Sequence, residues 1–298
     1  MNKKIRISAL LFALMLALAG CGAIETRSYS FAAGPDGSDF YAISEGICTA
    51  LTSGMSGVLF NPVESGGSAD NANLIKNGEA EIALMTADQA AAAYSTNADL
   101  RAITPLFEQT LHIVATGSSG IRSLSDLKAR RVSLGTEGCG TAALSEKVLS
   151  AAGLALKDIQ RQYLEPGEAF EEMKNGRLDA CFVLAAPGSK TIADLAESMD
   201  IVLVPLDDAA VSALTADGTL FSASVSAETY KNQSDAVNTV GVNVLVVCSA
   251  SLPNDTAKTM AAILSEKAAE TLAGFGISAN TDASALTIPV HEGLEADD

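Results

Sequence analysis

The sequence has no tryptophan, only two histidines, and far fewer basic than acidic side chains: 19 Lys and Arg against 36 Asp and Glu. Each scarcity excludes something. A formal net charge of −17 makes the chain a poor partner for nucleic acid and repels it from anionic lipid. His112 and His291 are far apart and form no HxxH pair, which argues against a catalytic metal site. No Ser/His/Asp order and no paired-carboxylate motif stands out, and nothing in the chain calls for a cofactor. None of the five cysteines forms a CxxC. The most apolar terminal run, Ile7 to Leu18, is too short to read as a membrane-spanning helix.

What is present begins with that terminus. Lys3-Lys4-Ile5-Arg6 is a basic opening, the apolar run follows, and it ends Leu18-Ala19-Gly20-Cys21. This resembles the bacterial lipoprotein signal, in which the chain is cut before Cys and lipid is attached to its sulfur. The expectation is a signal peptide over 1–20, lipid on Cys21, and a tether over 21–28 holding the body to the membrane outside the cytoplasm. Loss of the first twenty residues removes only positive charge (Lys3, Lys4, Arg6) and leaves a more acidic body. Cys48, Cys139, Cys181 and Cys248 remain. Outside the cell they could pair, but a core of this size does not need disulfides. Cys181 and Cys248 sit in apolar runs and read as small buried hydrophobes.

The chain is organised around Pro62–Asn73, PVESGGSADNAN. An apolar run from Val58 ends at Glu64, Ser65-Gly66-Gly67 turns, and Ser68 begins a helix through Ala72 and Ile75. The first N–H groups of such a helix have no partner inside it, and the helix dipole favours negative charge there. A strand running through a glycine turn into a helix is therefore suited to a carboxylate or phosphate. The pattern occurs three times: at Gly34-Pro35-Asp36-Gly37-Ser38-Asp39, at this stretch, and at Gly135-Thr136-Glu137-Gly138-Cys139-Gly140-Thr141.

Between these turns apolar extended runs alternate with helical spacing. Runs at 27–33, 58–64, 82–86, 131–134, 159–164, 179–185 and 201–205 read as strands. Phe40, Ile43, Ile47 and Leu51 keep helical spacing, as do Leu144 with Val148 and, after Pro253, Met260 with Leu264 and Leu272. Asn77-Gly78 and Asn175-Gly176 stop helices. The alternation argues α/β with mainly parallel sheets. Apolar extended runs at 100–107 and 112–116, and a long β-branched run at 240–247, suggest crossings between two lobes. The expected division is 29–111 with 241–298 as lobe 1 and 112–240 as lobe 2.

Several segments, in order, resemble the TAXI-type solute receptors of tripartite (TRAP) transporters, relatives of type II periplasmic binding proteins. They are GPDGSDFYAI, VESGGSADNANLIKNGEAEIAL, LHIVATGSSGIRSLSDLKARRVSLG, GTEGCGTAA, NGRLDACFVLAAP, TYKN and TVGVNVLVV. The resemblance implies an α/β, two-lobed, periplasmic-binding-protein-like fold with flanking helices and a ligand cleft between lobes. It implies a receptor that closes on a small anionic or zwitterionic solute, a glutamate-like amino acid or a dicarboxylate, and delivers it to TRAP membrane permease subunits. Carried over residue by residue, it implies a lining of Gly37, Ser38 and Tyr41; Ser65, Gly67, Ser68 and Asn71; Asp88; Thr136, Glu137, Gly140 and Thr141; and Ala186 with Pro187. Asp88 or Glu137 would meet an ammonium group.

Two alternatives stay open. The same fold could serve an ABC permease or a membrane sensor. A cysteine enzyme would use Cys139, at a helix N-terminus where a thiol pKa falls, with a histidine as base, yet His112 lies in an apolar strand and reads as a core residue. Arg101 and Arg177 lie away from the glycine turns and read as structural or solvent-facing.

Overall fold

A computed structural model describes residues 26–295. The expected signal peptide and Cys21 lie outside the described residues. Among the described residues no helix is long and apolar enough to cross a membrane.

The first lobe opens with β1 (Arg27–Ala32), α1 (Asp39–Gly54), β2 (Val58–Val63), α2 (Ser68–Asn77), β3 (Ile82–Thr86) and α3 (Ala87–Tyr94). The strand β4 (Leu100–Thr116) leaves it. The second lobe holds β5 (Arg131–Ser133), α4 (Gly140–Ala151), β6 (Gln160–Gln162), α5 (Pro166–Lys174), β7 (Ala180–Ala185), α6 (Lys190–Ser198), β8 (Ile201–Leu203), α7 (Asp208–Thr215) and β9 (Phe221–Val225). The strand β10 (Val237–Ser249) returns, and α8 (Asn254–Ala273) packs on the first lobe beside α1.

Each lobe has a parallel group, as alternating strands and helices require. β1 pairs β2 and β3 in parallel; β5 pairs β6 and β7 in parallel. The two groups are not separate sheets. One hydrogen-bonded ladder runs β2-β1-β3-β10-β4-β7-β5-β6, with β8 on β4 and β9 on β10. The joining pairs are antiparallel, so the whole is a mixed sheet. The crossing strands make it continuous. β4 pairs β10 over its first part and β7 from Thr110 to Ala115. The sequence suggests two apolar runs here, broken at Glu108-Gln109; the backbone passes straight through, with Gln109 opposite Val242. A polar pair interrupts hydropathy without interrupting a ladder.

Helices cover both faces. Phe31, Phe107, Ile43, Ile47, Met260 and Leu264 share one core under α1 and α8. Ile75, Ala90, Leu144 and Val148 share a second with Leu100, Leu111, Val240 and Val242. This second core includes residues of both lobes, so the lobes are packed together along that face. Phe170, Met173, Ile192 and Leu195 build a third against β7. In β10, Val240 and Val242 face the second core but so do Leu245 and Val247. Val244 and Val246 belong to the first core, so the alternation changes phase between Val242 and Val244; just beyond, the ladder shifts register and leaves Leu106 of β4 without a partner, as at a bulge. Two elements, α7 and β9, carry no clear sequence signal. β9 is short, and its residues alternate between partly buried and exposed.

Candidate functional site

The three glycine turns meet. The first caps α1: Ser38 Oγ accepts from Tyr41 N–H at 3.2 Å and donates to the Pro35 carbonyl at 2.7 Å. In the second, Gly66 N–H donates to Asp70 Oδ2 at 2.9 Å and Gly67 N–H to Ser65 Oγ at 3.3 Å. Gly67 has φ 105°, a region that L side chains rarely enter. α2 then starts at Ser68, whose Oγ accepts from Thr86 N–H at 3.1 Å and so ties the turn to the end of β3. In the third, Cys139 Sγ caps α4, accepting from Ala142 N–H at 3.4 Å. The leading N–H groups of α2 and α4 have no intrahelical partner and carry the positive ends of their dipoles.

The second and third turns touch across the lobes. A Cβ on Gly67 would lie 3.2 Å from Cys139 Cα, and one on Gly140 would lie 2.9 Å from the Thr86 methyl and hydroxyl. Only glycine lets these backbones come so close. Beside this contact lies a cavity of about 420 Å³. Its wall is formed by the first turn, Gly67, Ser68, Thr86, Gln109, the third turn, the start of α5 and part of β7.

Seven of the residues expected from the sequence line this cavity: Gly37, Ser38, Gly67, Ser68, Thr136, Gly140 and Thr141. The other seven do not. Tyr41 lies in the first turn of α1 and contributes its N–H to the Ser38 cap. Ser65 supports Gly67 from behind. Asn71 is fully buried, and its amide donates to the carbonyls of Ala33 at 2.8 Å and Leu84 at 2.7 Å, stapling β1 to β3. Asp88 is 3% exposed and accepts from Lys147 Nζ at 2.8 Å; the ammonium it meets is the chain's own. Glu137 and Pro187 point to solvent, and Ala186 packs against the first-lobe core.

Sequence reading missed Thr86, Gln109, Glu165, Phe182, Leu184 and Thr191, all of which line the cavity. One signal was available. Glu165-Pro166-Gly167 starts α5 after a strand, a fourth turn of the same kind. Thr136 Oγ1 donates to Glu165 Oε1 at 2.6 Å across the cavity wall. Thr86 Oγ1 is buried and has no hydrogen-bond partner among the described residues. The charged side chains in the wall are Asp36, Asp39 and Glu165; no Lys, Arg or His lines it among the described residues. Desolvation beside the cavity raises the Asp39 carboxyl above its usual range.

Cys139 also lines the cavity. Burial pushes its thiol up, against what a nucleophile needs. His112 is buried and supplies no base: its Nδ1 donates to the Thr110 carbonyl at 3.0 Å and its Nε2 accepts from Tyr230 O–H at 3.0 Å. Burial lowers it to about 4. The four described cysteines are free thiols, and three are core residues. Arg177 pairs with Glu172 near the surface, and Arg101 caps carbonyls at the start of β4.

A profile of the NMT1-like family matches residues 31–296. The fold is also found in solved structures. The alkanesulfonate-binding protein SsuA from Xanthomonas axonopodis pv. citri, bound to MOPS, superposes with a TM-score of 0.53 at 15% identity, covering 85% of this chain and 80% of that one. An ancestral arginine-binding protein bound to arginine gives 0.54 at 14% identity, covering 84% and 99%. A histidine kinase sensor domain with similarity to periplasmic binding proteins gives 0.53 at 13%, covering 86% and 99%. At such identities the likeness concerns the fold, which is the two-lobed α/β fold of periplasmic binding proteins.

Proposed function

We propose that this chain, which belongs to the NMT1-like family, is an extracytoplasmic solute receptor that encloses a small anionic or zwitterionic solute between its lobes. The observation that carries the reading is the shared cavity: glycine turns from both lobes line one hollow, and two helix starts open beside it. A carboxylate accepting several N–H and hydroxyl bonds is held strongly without a dedicated cation. A volume of about 420 Å³ suits a metabolite of modest size. Lobe 1 would comprise 29–111 and 241–298, lobe 2 would comprise 112–240, and β4 and β10 would serve as the hinge. Lipid on Cys21 would tether the receptor to its membrane.

The receptor would hand its solute to a membrane permease. The ordered TAXI-like segments favour a tripartite TRAP permease; an ABC permease or a sensor is the alternative, and the neighbouring genes separate them. A large multi-span permease supports the first, a P-loop ATPase the second.

A thermal-shift screen of the mature domain tests the reading, with amino acids, C4 and C5 dicarboxylates, keto acids and sugars. A ligand at a hundred times its dissociation constant adds about 2.7 kcal/mol, a shift easily resolved. Acidic or zwitterionic solutes should raise the melting temperature. A response to sugars alone ends the reading.

A further inference from the structure

The cavity is lined by helix starts, hydroxyls and three carboxylates, with no basic side chain among the described residues. Its floor, where the lobes touch, presents donors. Ser68 and Gly140 open their helices there, and the hydroxyl of Thr86, 2% exposed and without a partner among the described residues, sits against Gly140. A buried hydroxyl with no partner is costly, so this one marks where a ligand atom belongs. The rest of the lining includes three carboxylates. Asp36 comes from the turn before α1, Asp39 is the first residue of α1, and Glu165 comes from the start of α5 in the other lobe. Glu165 Oε1 is engaged by Thr136, while Oε2 has no hydrogen bond among the described residues.

Resting on the receptor reading, we infer that the solute carries a cationic nitrogen as well as an anionic group, and that Glu165, with Asp36 and Asp39, selects it over the same acid lacking that nitrogen. A dicarboxylate would set its second negative charge against three carboxylates with no basic side chain in the wall to offset them. An ammonium group reverses the sign of every one of those interactions. The carboxylates come from both lobes.

The test is calorimetric titration with matched pairs: glutamate and glutarate, aspartate and succinate, γ-aminobutyrate and butyrate, taurine and ethanesulfonate. Wild-type mature domain should bind the amine of at least one pair at least ten times more tightly than its partner. Glu165→Gln keeps the acceptor for Thr136 and removes only charge. It should weaken the amine at least tenfold and change the partner acid less than threefold, with an unchanged apo melting point. Asp39→Asn, at the opposite lobe, should act in the same direction. Equal or tighter binding of the acid without nitrogen overturns the inference and leaves the receptor reading standing. So does an amine affinity indifferent to both substitutions. Failure of every compound to bind folded wild-type protein overturns the receptor reading, and this inference with it.

Discussion

Lys147, on α4 in the second lobe, donates to Asp88, on α3 in the first, at 2.8 Å. The carboxylate is buried, with 2% side-chain exposure, while the lysine is 41% exposed. The pair clamps the lobes on the side of the second core. Replacing Lys147 with Met should strand a buried charge. Breaking a fully buried pair costs roughly 3–5 kcal/mol; with Lys147 in contact with water, the loss should be that of a buried acceptor left unsatisfied, about 1–3 kcal/mol. Adding Asp88→Asn to that change should recover most of the loss. Urea unfolding of wild type and the two variants measures it, and a single Lys147→Met change without effect would show that the clamp is idle.

Gly67 meets Cys139 across the same seam. An alanine there combines a positive φ with a Cβ 3.2 Å from the facing backbone. The strain alone is worth about 1–3 kcal/mol. The larger consequence is geometric, because the lobes must part to make room. Small-angle scattering should show an expanded particle and calorimetry at least a tenfold loss of solute affinity. Unaltered scattering with full affinity would mean that the seam tolerates a methyl group.

Thr86→Val separates fold from function. The hydroxyl bonds nothing among the described residues, so its removal should leave apo stability unchanged or raise it by up to about 1–2 kcal/mol. Solute affinity should fall, since a donor at the cavity floor disappears. A variant that loses apo stability while keeping its affinity would assign Thr86 a purely structural role.

His112 sets an acid limit. Its folded value, about 4, lies below the model-peptide value near 6.5. The unfolded chain therefore takes up the proton first, and stability falls as pH drops from 6.5 toward 4. The full loss is about 3 kcal/mol. Denaturant midpoints of wild type and His112→Gln, compared between pH 7 and pH 4.5, should converge as the pH is lowered. Parallel curves across that range would remove His112 as the cause.

Much of this molecule was readable one residue at a time. The glycine turns, the helix stops at Gly78 and Gly176, and the alternation of strand and helix all depend on local backbone preferences, and these survive in any surroundings. The candidate site was half readable for the same reason: Gly37, Ser38, Gly67, Ser68, Gly140 and Thr141 belong to the turns themselves. Asn71 and Asp88 were misplaced because a polar residue near a helix start looks alike whether it faces a cavity or a neighbouring strand. The partners that occupy them, Leu84 and Lys147, are 13 and 59 residues away.

Local chemistry in the chain thus specified the turns, the class of fold and the family resemblance, because each depends on residues adjacent in sequence. Which turns face one another, and what charge shares their hollow, was decided by two crossing strands that bring residues 36, 86 and 165 to one cavity. Packing and Coulomb interactions act through space, and no spacing along the chain records them.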